Sequence, residues 1–508
     1  MWSRFRLSAS LALFLTCWLV YSLHFATNTV REIYPALSLG DHLSFDVSEY
    51  AGMHPDIFEL PGRGAFINNN PGASILAAVP YAVFRPAIDL TVKRVRERRD
   101  RAPRVSAKYK TIYPMAQDFY REARARGFDV KFGLAAAVMH SLLMAPLSAL
   151  SVVLMFTTLR TVTGNRLPAL LSALLYAFAT PVFYRTAQLN HNLLLAHFAF
   201  FAFLLLWRPG RRPGDGQRPR YFLAGLLAGW TVVFDYSGVV ALLALAAYAL
   251  VRRFQLSESL KSRSDLPWFT AGVLLSLMVL LGYQWACFGN PIYPAQHYMP
   301  VTPLSPNGYQ GIDWPSVRLL WETAFSARFG LFTSAPLLLL ALVPWAWTIA
   351  RRMIGSLQTL FVLCFVLGFF VFCAMNQYGL LQFNTGVRHV VPVVPFLFLL
   401  VPGILTRLPA WIAATVSILA TYWSWCLAMY RDVEQGRGII ESIIQVTLSG
   451  PRLPWAKTLE GMGYLPSQVP ILPLFFLAAV TIWLIWSRTE LPAPRSGRTD
   501  RSVRSAQS

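Results

Sequence analysis

Long apolar runs separated by short polar connections recur along nearly the whole chain. Twelve of them read as membrane helices, at about 7–26, 134–157, 167–183, 192–207, 221–234, 237–251, 268–286, 330–349, 357–375, 390–406, 409–430 and 469–487. Crossing a hydrocarbon core of about 30 Å takes roughly 20 helical residues, and most of these runs approach or reach that length. The pair at 221–251 is short, and the stretch FDYSG between its members is a candidate break within the bilayer. Another apolar stretch, ASILAAVPYAVFRPAI (73–88), is interrupted by Pro80, Arg85 and Pro86, so it predicts a helix lying on or re-entering the membrane surface.

Composition agrees with this pattern. The 508 residues are 55% hydrophobic and 14% charged, whereas soluble chains carry about 25% charged residues. The fold class is therefore all-α: a polytopic transmembrane bundle of about twelve spans. The net charge of +21 does not indicate nucleic-acid binding, because the arginines collect in short loops and no basic stripe is interleaved with aromatics. The connections at 208–220, 252–265 and 351–355 and the tail after Trp486 are basic, and placing them in the cytoplasm follows the positive-inside bias. Both termini are then cytoplasmic and residues 27–133 form a large first extracytoplasmic loop carrying interfacial helices. Residues 7–26 read as an uncleaved span rather than a signal peptide, since the run is long and no small-residue cleavage site follows. Residues 1–487 make one transmembrane domain, and 488–508 a basic, disordered cytoplasmic tail.

Candidate chemistry concentrates on the outer side. The segment REIYPALSLGDHLSFDVSEY (31–50) places Arg31, Glu32, Asp41 and Asp46 just past the first span. A carboxylate there can act as a general base toward a hydroxyl or amine, or it can be an ordinary loop acid. In GRGAFINNNPGASILAAVPY (62–81), Asn70 is placed to cap a helix whose free N–H groups favour phosphate. Asp235 stands between two apolar segments, where an acid is costly enough to suggest function. Arg388 and His389, just outside the tenth span, and His191 in LNHN complete the set; arginine suits phosphate oxygens. The five cysteines form no CxxC pair, no metal-ligand spacing stands out, and no cofactor is specified, which leaves a divalent metal open. Soluble-type hydrolase, ATPase and dehydrogenase motifs are missing.

The order of these pieces resembles the polytopic GT-C glycosyltransferases that use lipid-phosphate sugars, in particular bacterial relatives of protein mannosyltransferases and aminoarabinose transferases. The resemblance rests on REIYPALSLGDHLSFD, NNNPGASIL, AQLNHNLLLAHFAF, LAGLLAGWTVVFDYSGVV, FGNPIYP and GVRHVVPVVPFLFL in that order. It implies a polyprenyl-phosphate sugar donor in the outer leaflet, an extracytoplasmic acceptor (lipid, glycan or protein), and a first-loop acid as base with inversion at the anomeric carbon. Glu32 fits that base by position, with Asp41 and Asp46 as alternatives; Arg31, Asn70, His191, Asp235, Arg388 and His389 would bind substrate. Two departures stand out. Arg31-Glu32 occupies the place of the family's acidic pair, and NNNPG lacks the lysine that often precedes the surface helix. A transporter or lipid flippase is the rival class, although no paired half-to-half repeat is visible and mid-span charges are few. A non-catalytic membrane protein of the same fold is the other.

Overall fold

The computed structural model describes residues 6–27, 30–101, 114–207, 217–254, 265–306, 308–380, 386–430, 438–466 and 471–489. The predicted tail lies almost wholly outside the described residues. In chain order the principal elements are α1 (Ala9–Leu23), α2 (Ile33–His42), a hairpin of β1 (Ile57–Leu60) and β2 (Gly64–Ile67), α3 (Gly72–Arg101) and α4 (Pro114–Ala125). There follow α5 (Asp129–Thr163), α6 (Arg166–Phe178), α7 (Pro181–Thr186), α8 (His191–Trp207), α9 (Gln217–Phe234), α10 (Gly238–Phe254) and α11 (Leu266–Phe288). The last are α12 (Val317–Phe325), α13 (Leu331–Ser334), α14 (Pro344–Ile354), α15 (Ser356–Met375), α16 (Val391–Leu405), α17 (Ala410–Met429), α18 (Ile439–Ser449), α19 (Pro454–Gly461) and α20 (Leu472–Ser487).

Each of the twelve predicted runs is helical, but their lengths differ from expectation. Among the described residues, five helices (α3, α5, α11, α15 and α17) are long and apolar enough to cross a membrane, and a sixth span arises if the 3₁₀ stretch Pro336–Leu342 and α14 are taken together. That pair is bent by 81°, so the run at 330–349 is not one straight span. Pro336 and Pro344 each start a new helical segment there because proline lacks the N–H that would continue the previous one. The segment between α1 and α3 also departs from the all-α expectation: β1 and β2 pair antiparallel, with Phe58 opposite Phe66.

Packing around α8 organises the bundle. Its sequence is apolar on every face, which a helix tolerates in the middle of a protein, and nearly all of its residues are buried. Phe203 stacks on Phe361 of α15 with centroids 4.6 Å apart. Of its few polar side chains, His197 meets Ser148 Oγ of α5 through Nε2 at 2.9 Å. Helices α9 and α11 approach each other through small residues. A Cβ on Gly225 would lie 1.9 Å from the Phe269 carbonyl oxygen, and one on Gly272 would lie 2.2 Å from the Phe222 carbonyl oxygen. This is the close backbone approach that small residues permit between membrane helices. α20 is equally apolar yet has no buried residue; it leans on α1 through the Trp486 indole, which donates to Thr16 Oγ1 at 2.9 Å.

Contacts among the described residues mark two ends of the bundle. At one end the Leu7 N–H donates to the Arg488 carbonyl at 3.0 Å, so α1 begins where α20 stops. At the other, the Trp455 indole donates to the Leu23 carbonyl at 3.1 Å, and the Gly386 N–H to the Arg328 carbonyl at 3.0 Å. The predicted 73–88 helix is part of the 30-residue α3, which continues through both prolines and a run of helix-favouring arginines. Its shortness therefore no longer argues for a surface position. Its contacts do: at its start the Asn70 amide donates to the Val232 carbonyl at the end of α9 at 2.8 Å. In its last turn Arg99 pairs with Asp129, the first residue of α5. Both anchors belong to the same end of the bundle.

Candidate active site

At that end, α2 begins at Ile33 with Glu32 immediately before it, and α8 begins at His191. Both side chains are buried, with Glu32 3% and His191 4% exposed. The Glu32 carboxylate bonds to His191 Nδ1. An ionised carboxylate can only accept, so Nδ1 carries the proton and Nε2 is left as an acceptor. The Asn192 amide fills that role, donating to Nε2 at 3.1 Å. Asp235 enters from the three-residue turn between α9 and α10, with Oδ2 3.7 Å from His191 Nε2. Its other oxygen accepts from the Ser237 N–H at 2.9 Å, which closes the turn. Thus His191 sits between two acids that are 203 residues apart in the chain.

Two arginines face the acids. Arg31 Nε lies 3.7 Å from Glu32 Oε1, and its Nη1 lies 3.4 Å from Asp56 Oδ2. Arg388 interacts electrostatically with Arg31, Glu32, Asp56 and Asp235. The loop carrying Arg388 is held by Arg185, a fully buried residue of α7 whose guanidinium donates to the carbonyls of Gly386 and Val387. Burial would raise the Glu32 pKa, but His191, Arg31 and Arg388 outweigh it and hold the carboxyl down at about 2. Burial lowers the Arg388 pKa, with the like charge of Arg31 adding to the effect. Arg31 goes the other way: burial works against its charge, yet Glu32, Asp56 and Asp235 raise its pKa. Burial and the neighbouring Arg388 drive His389 well below its ordinary value, which leaves its ring neutral.

Of the residues singled out from the sequence, the structure brings Arg31, Glu32, His191, Asp235, Arg388 and His389 into one neighbourhood. The other three candidates do different work. Asn70 spends its amide on Val232, and four residues on, the Ser74 hydroxyl donates to the Glu32 carbonyl at 2.8 Å. Asn70 therefore fixes the start of α3 against the site without touching it. Asp41 lies on the far side of α2, with Oδ1 3.0 Å from Arg85 Nε and Oδ2 2.7 Å from Lys131 Nζ. Asp46 closes the loop onto the hairpin. It accepts from the Ser48 N–H at 2.9 Å and the Ala65 N–H at 3.1 Å, and these bonds lower its pKa against a raising effect of burial. Asp56, Asn192 and Arg185 were not singled out as site residues. The latter two lie within YRTAQLNHN, a stretch whose polarity between apolar runs was the available signal.

Among the described residues, one group offers metal-ligating atoms within 4.8 Å of one another: Asp41, His42 and Glu49. Both Asp41 oxygens already face cations, and His42 and Glu49 are exposed, so the donor set fits a metal poorly. The cluster of acids, arginines and histidines can polarise or deprotonate a hydroxyl or amine and can hold an anionic group.

Residues 132–288 match the family model of dolichyl-phosphate-mannose-protein mannosyltransferases. The resemblance read from the sequence holds over that segment, which contains His191, Asn192 and Asp235 and excludes Glu32 and Arg388. No curated protein matches the chain. Two solved structures overlap it: ArnT from Cupriavidus metallidurans in the apo state, and the same protein bound to undecaprenyl phosphate. Each is 14% identical with a TM-score of 0.47, covering 94% of this chain and 75% of the other.

Proposed function

We propose that this protein is an integral membrane glycosyltransferase that moves a sugar from a polyprenyl-phosphate donor to an extracytoplasmic acceptor. The observation that carries this reading is the convergence of Glu32, His191 and Asp235 with Arg31 and Arg388 at one end of the bundle, opposite the end where α1 begins and α20 stops. That end faces the outside of the cell membrane if the basic connections are cytoplasmic.

In this reading the donor phosphate lies against Arg388 and Arg31. The acceptor O–H or N–H gives its proton to Glu32 as its oxygen or nitrogen bonds to the anomeric carbon. The bond from that carbon to the phosphate oxygen breaks, and polyprenyl phosphate leaves with its added negative charge held by the arginines. Attack from the face opposite the leaving group inverts the carbon. A pKa near 2 makes Glu32 ionised but a weak base. A bound phosphate would engage the arginines and offset their pull, moving Glu32 upward toward the range useful for proton transfer. His191, donating from Nδ1, orients the Glu32 carboxylate, and Asp235 stands beside the other ring nitrogen.

The experiment is a transfer assay on purified protein with a panel of labelled polyprenyl-phosphate sugars and a membrane extract as acceptor source. Glu32→Gln should lower turnover by about 10²–10⁴-fold with donor binding retained, and Arg388→Ala should weaken donor binding. If Asp41→Asn or Asp46→Asn abolishes transfer while Glu32→Gln is unaffected, the base is misassigned. Indifference to all three carboxylates would refute the first-loop-base mechanism.

A further inference from the structure

A second site lies on the other side of α2 from His191. An apolar cavity of about 230 Å³ opens between the last turns of α3, α4, the start of α5 and α19, with Phe25, Phe119, Gly133, Trp455 and Tyr464 among its walls. Its depth in the membrane is fixed by its neighbours. Phe25 lies two residues past the end of α1 and stacks on Trp455 with the rings 3° from parallel. The Trp455 indole reaches back to the Leu23 carbonyl. With α1 read as a membrane span, as the sequence predicts, these contacts put the cavity at the boundary between hydrocarbon and headgroups. It exceeds the roughly 150 Å³ of an engineered apolar cavity that holds benzene, and it has few polar groups with which to order water.

The rim is basic. Residues 93–101 carry six basic side chains against Glu97 and Asp100. Lys93, Arg94, Arg96, Arg98 and Arg101 are exposed, while Val92 and Val95 face inward. Arg99 closes one side, paired with Asp129 and bonded to the Tyr464 hydroxyl. An apolar slot at headgroup depth beside a row of uncovered arginines is complementary to an amphiphile with an anionic head. We propose that this pocket holds an acyl chain of an anionic phospholipid whose phosphate rests on the exposed arginines of α3. The site is independent of the chemistry at Glu32. It is connected to the first loop by edge-on ring contacts in which Phe132, a wall of the cavity, meets Tyr34 at 5.6 Å and Tyr34 meets His54 at 5.9 Å.

Gly133 supplies a clean test. A Cβ built there meets nothing within 4 Å, so Gly133→Leu fills the cavity while replacing a poor helix former with a good one. Full-length protein in phosphatidylcholine nanodiscs would be doped with phosphatidylglycerol carrying a photoreactive group in its acyl chain, or with the matching phosphatidylcholine probe. Adducts would be mapped by mass spectrometry. The expected result is preferential labelling by the phosphatidylglycerol probe of peptides bearing Phe119 and Trp455. That labelling should be lost in Gly133→Leu, and its headgroup preference lost in Arg94→Gln/Arg98→Gln. Ala137→Phe, which also enters the cavity, repeats the test should Gly133→Leu fail to fold. Equal labelling by the two probes, persistence of adducts in a folded cavity-filled variant, or displacement of the probe by a polyprenyl phosphate but not by unlabelled phosphatidylglycerol would each overturn the proposal.

Discussion

Replacing Glu32 by glutamine keeps the size of the side chain and an oxygen that can still accept from His191 Nδ1, but removes the charge. The wild-type carboxyl is held at about 2 in the folded protein against an ordinary value of 4.5, and it is buried. Because the folded value is the lower one, the unfolded chain binds the proton more readily. The stabilisation is fully present above about pH 4.5 and is lost progressively as pH falls toward 2. At about 1.4 kcal/mol for each pH unit separating the two states, the whole effect is on the order of 3 kcal/mol. The assay is thermal unfolding of wild type and Glu32→Gln in the same detergent across acidic pH, read as the difference between the two. Other carboxylates, Asp46 among them, titrate in both proteins and cancel in that difference. The wild-type advantage should shrink steadily as the pH drops below about 4.5. A difference that stays constant with pH, or that grows on acidification, would refute the idea that Glu32 is an ionised, charge-stabilised group.

Further tests address the scaffold. Asp41→Asn weakens the pairing with Lys131 and Arg85 and should lower the unfolding temperature while leaving donor affinity unchanged; a change confined to catalysis would contradict the structural role assigned to Asp41. Gly225→Ala forces a methyl toward the Phe269 carbonyl and should cost about 1–3 kcal/mol by prising α9 from α11, measured as a lower denaturation midpoint; an unaffected midpoint would mean the helices do not meet this closely. Cysteines placed at exposed Tyr464 and at exposed Arg351 should react with an impermeant reagent from opposite faces of sealed vesicles. Labelling of both from one face would break the two-ended topology.

Hydropathy determined a good deal. It located most of the apolar helices, missing Ile439–Ser449, because a chain in lipid must satisfy its backbone hydrogen bonds within each segment and therefore writes spans as long apolar runs. The break at FDYSG was legible too, since a glycine following an acid between two apolar runs leaves little choice but a turn. Arg31 and Glu32 were visible as charges placed just past a span, where they are costly unless used. Hydropathy alone could not distinguish α8, buried at the centre, from α20, which has no buried residue. In a bilayer both surroundings are apolar, and only packing partners tell them apart. Nor could it separate Glu32 from Asp41, since both are acids in one short segment. The register of α2 decided that, turning one toward His191 and the other toward Lys131. The pairing of Glu32 with His191, 159 residues away, and the approach of Asp235 depend on how α2, α8 and the α9–α10 turn converge. No local pattern encodes that convergence, because it joins residues from separate elements that only tertiary packing brings to the start of α8.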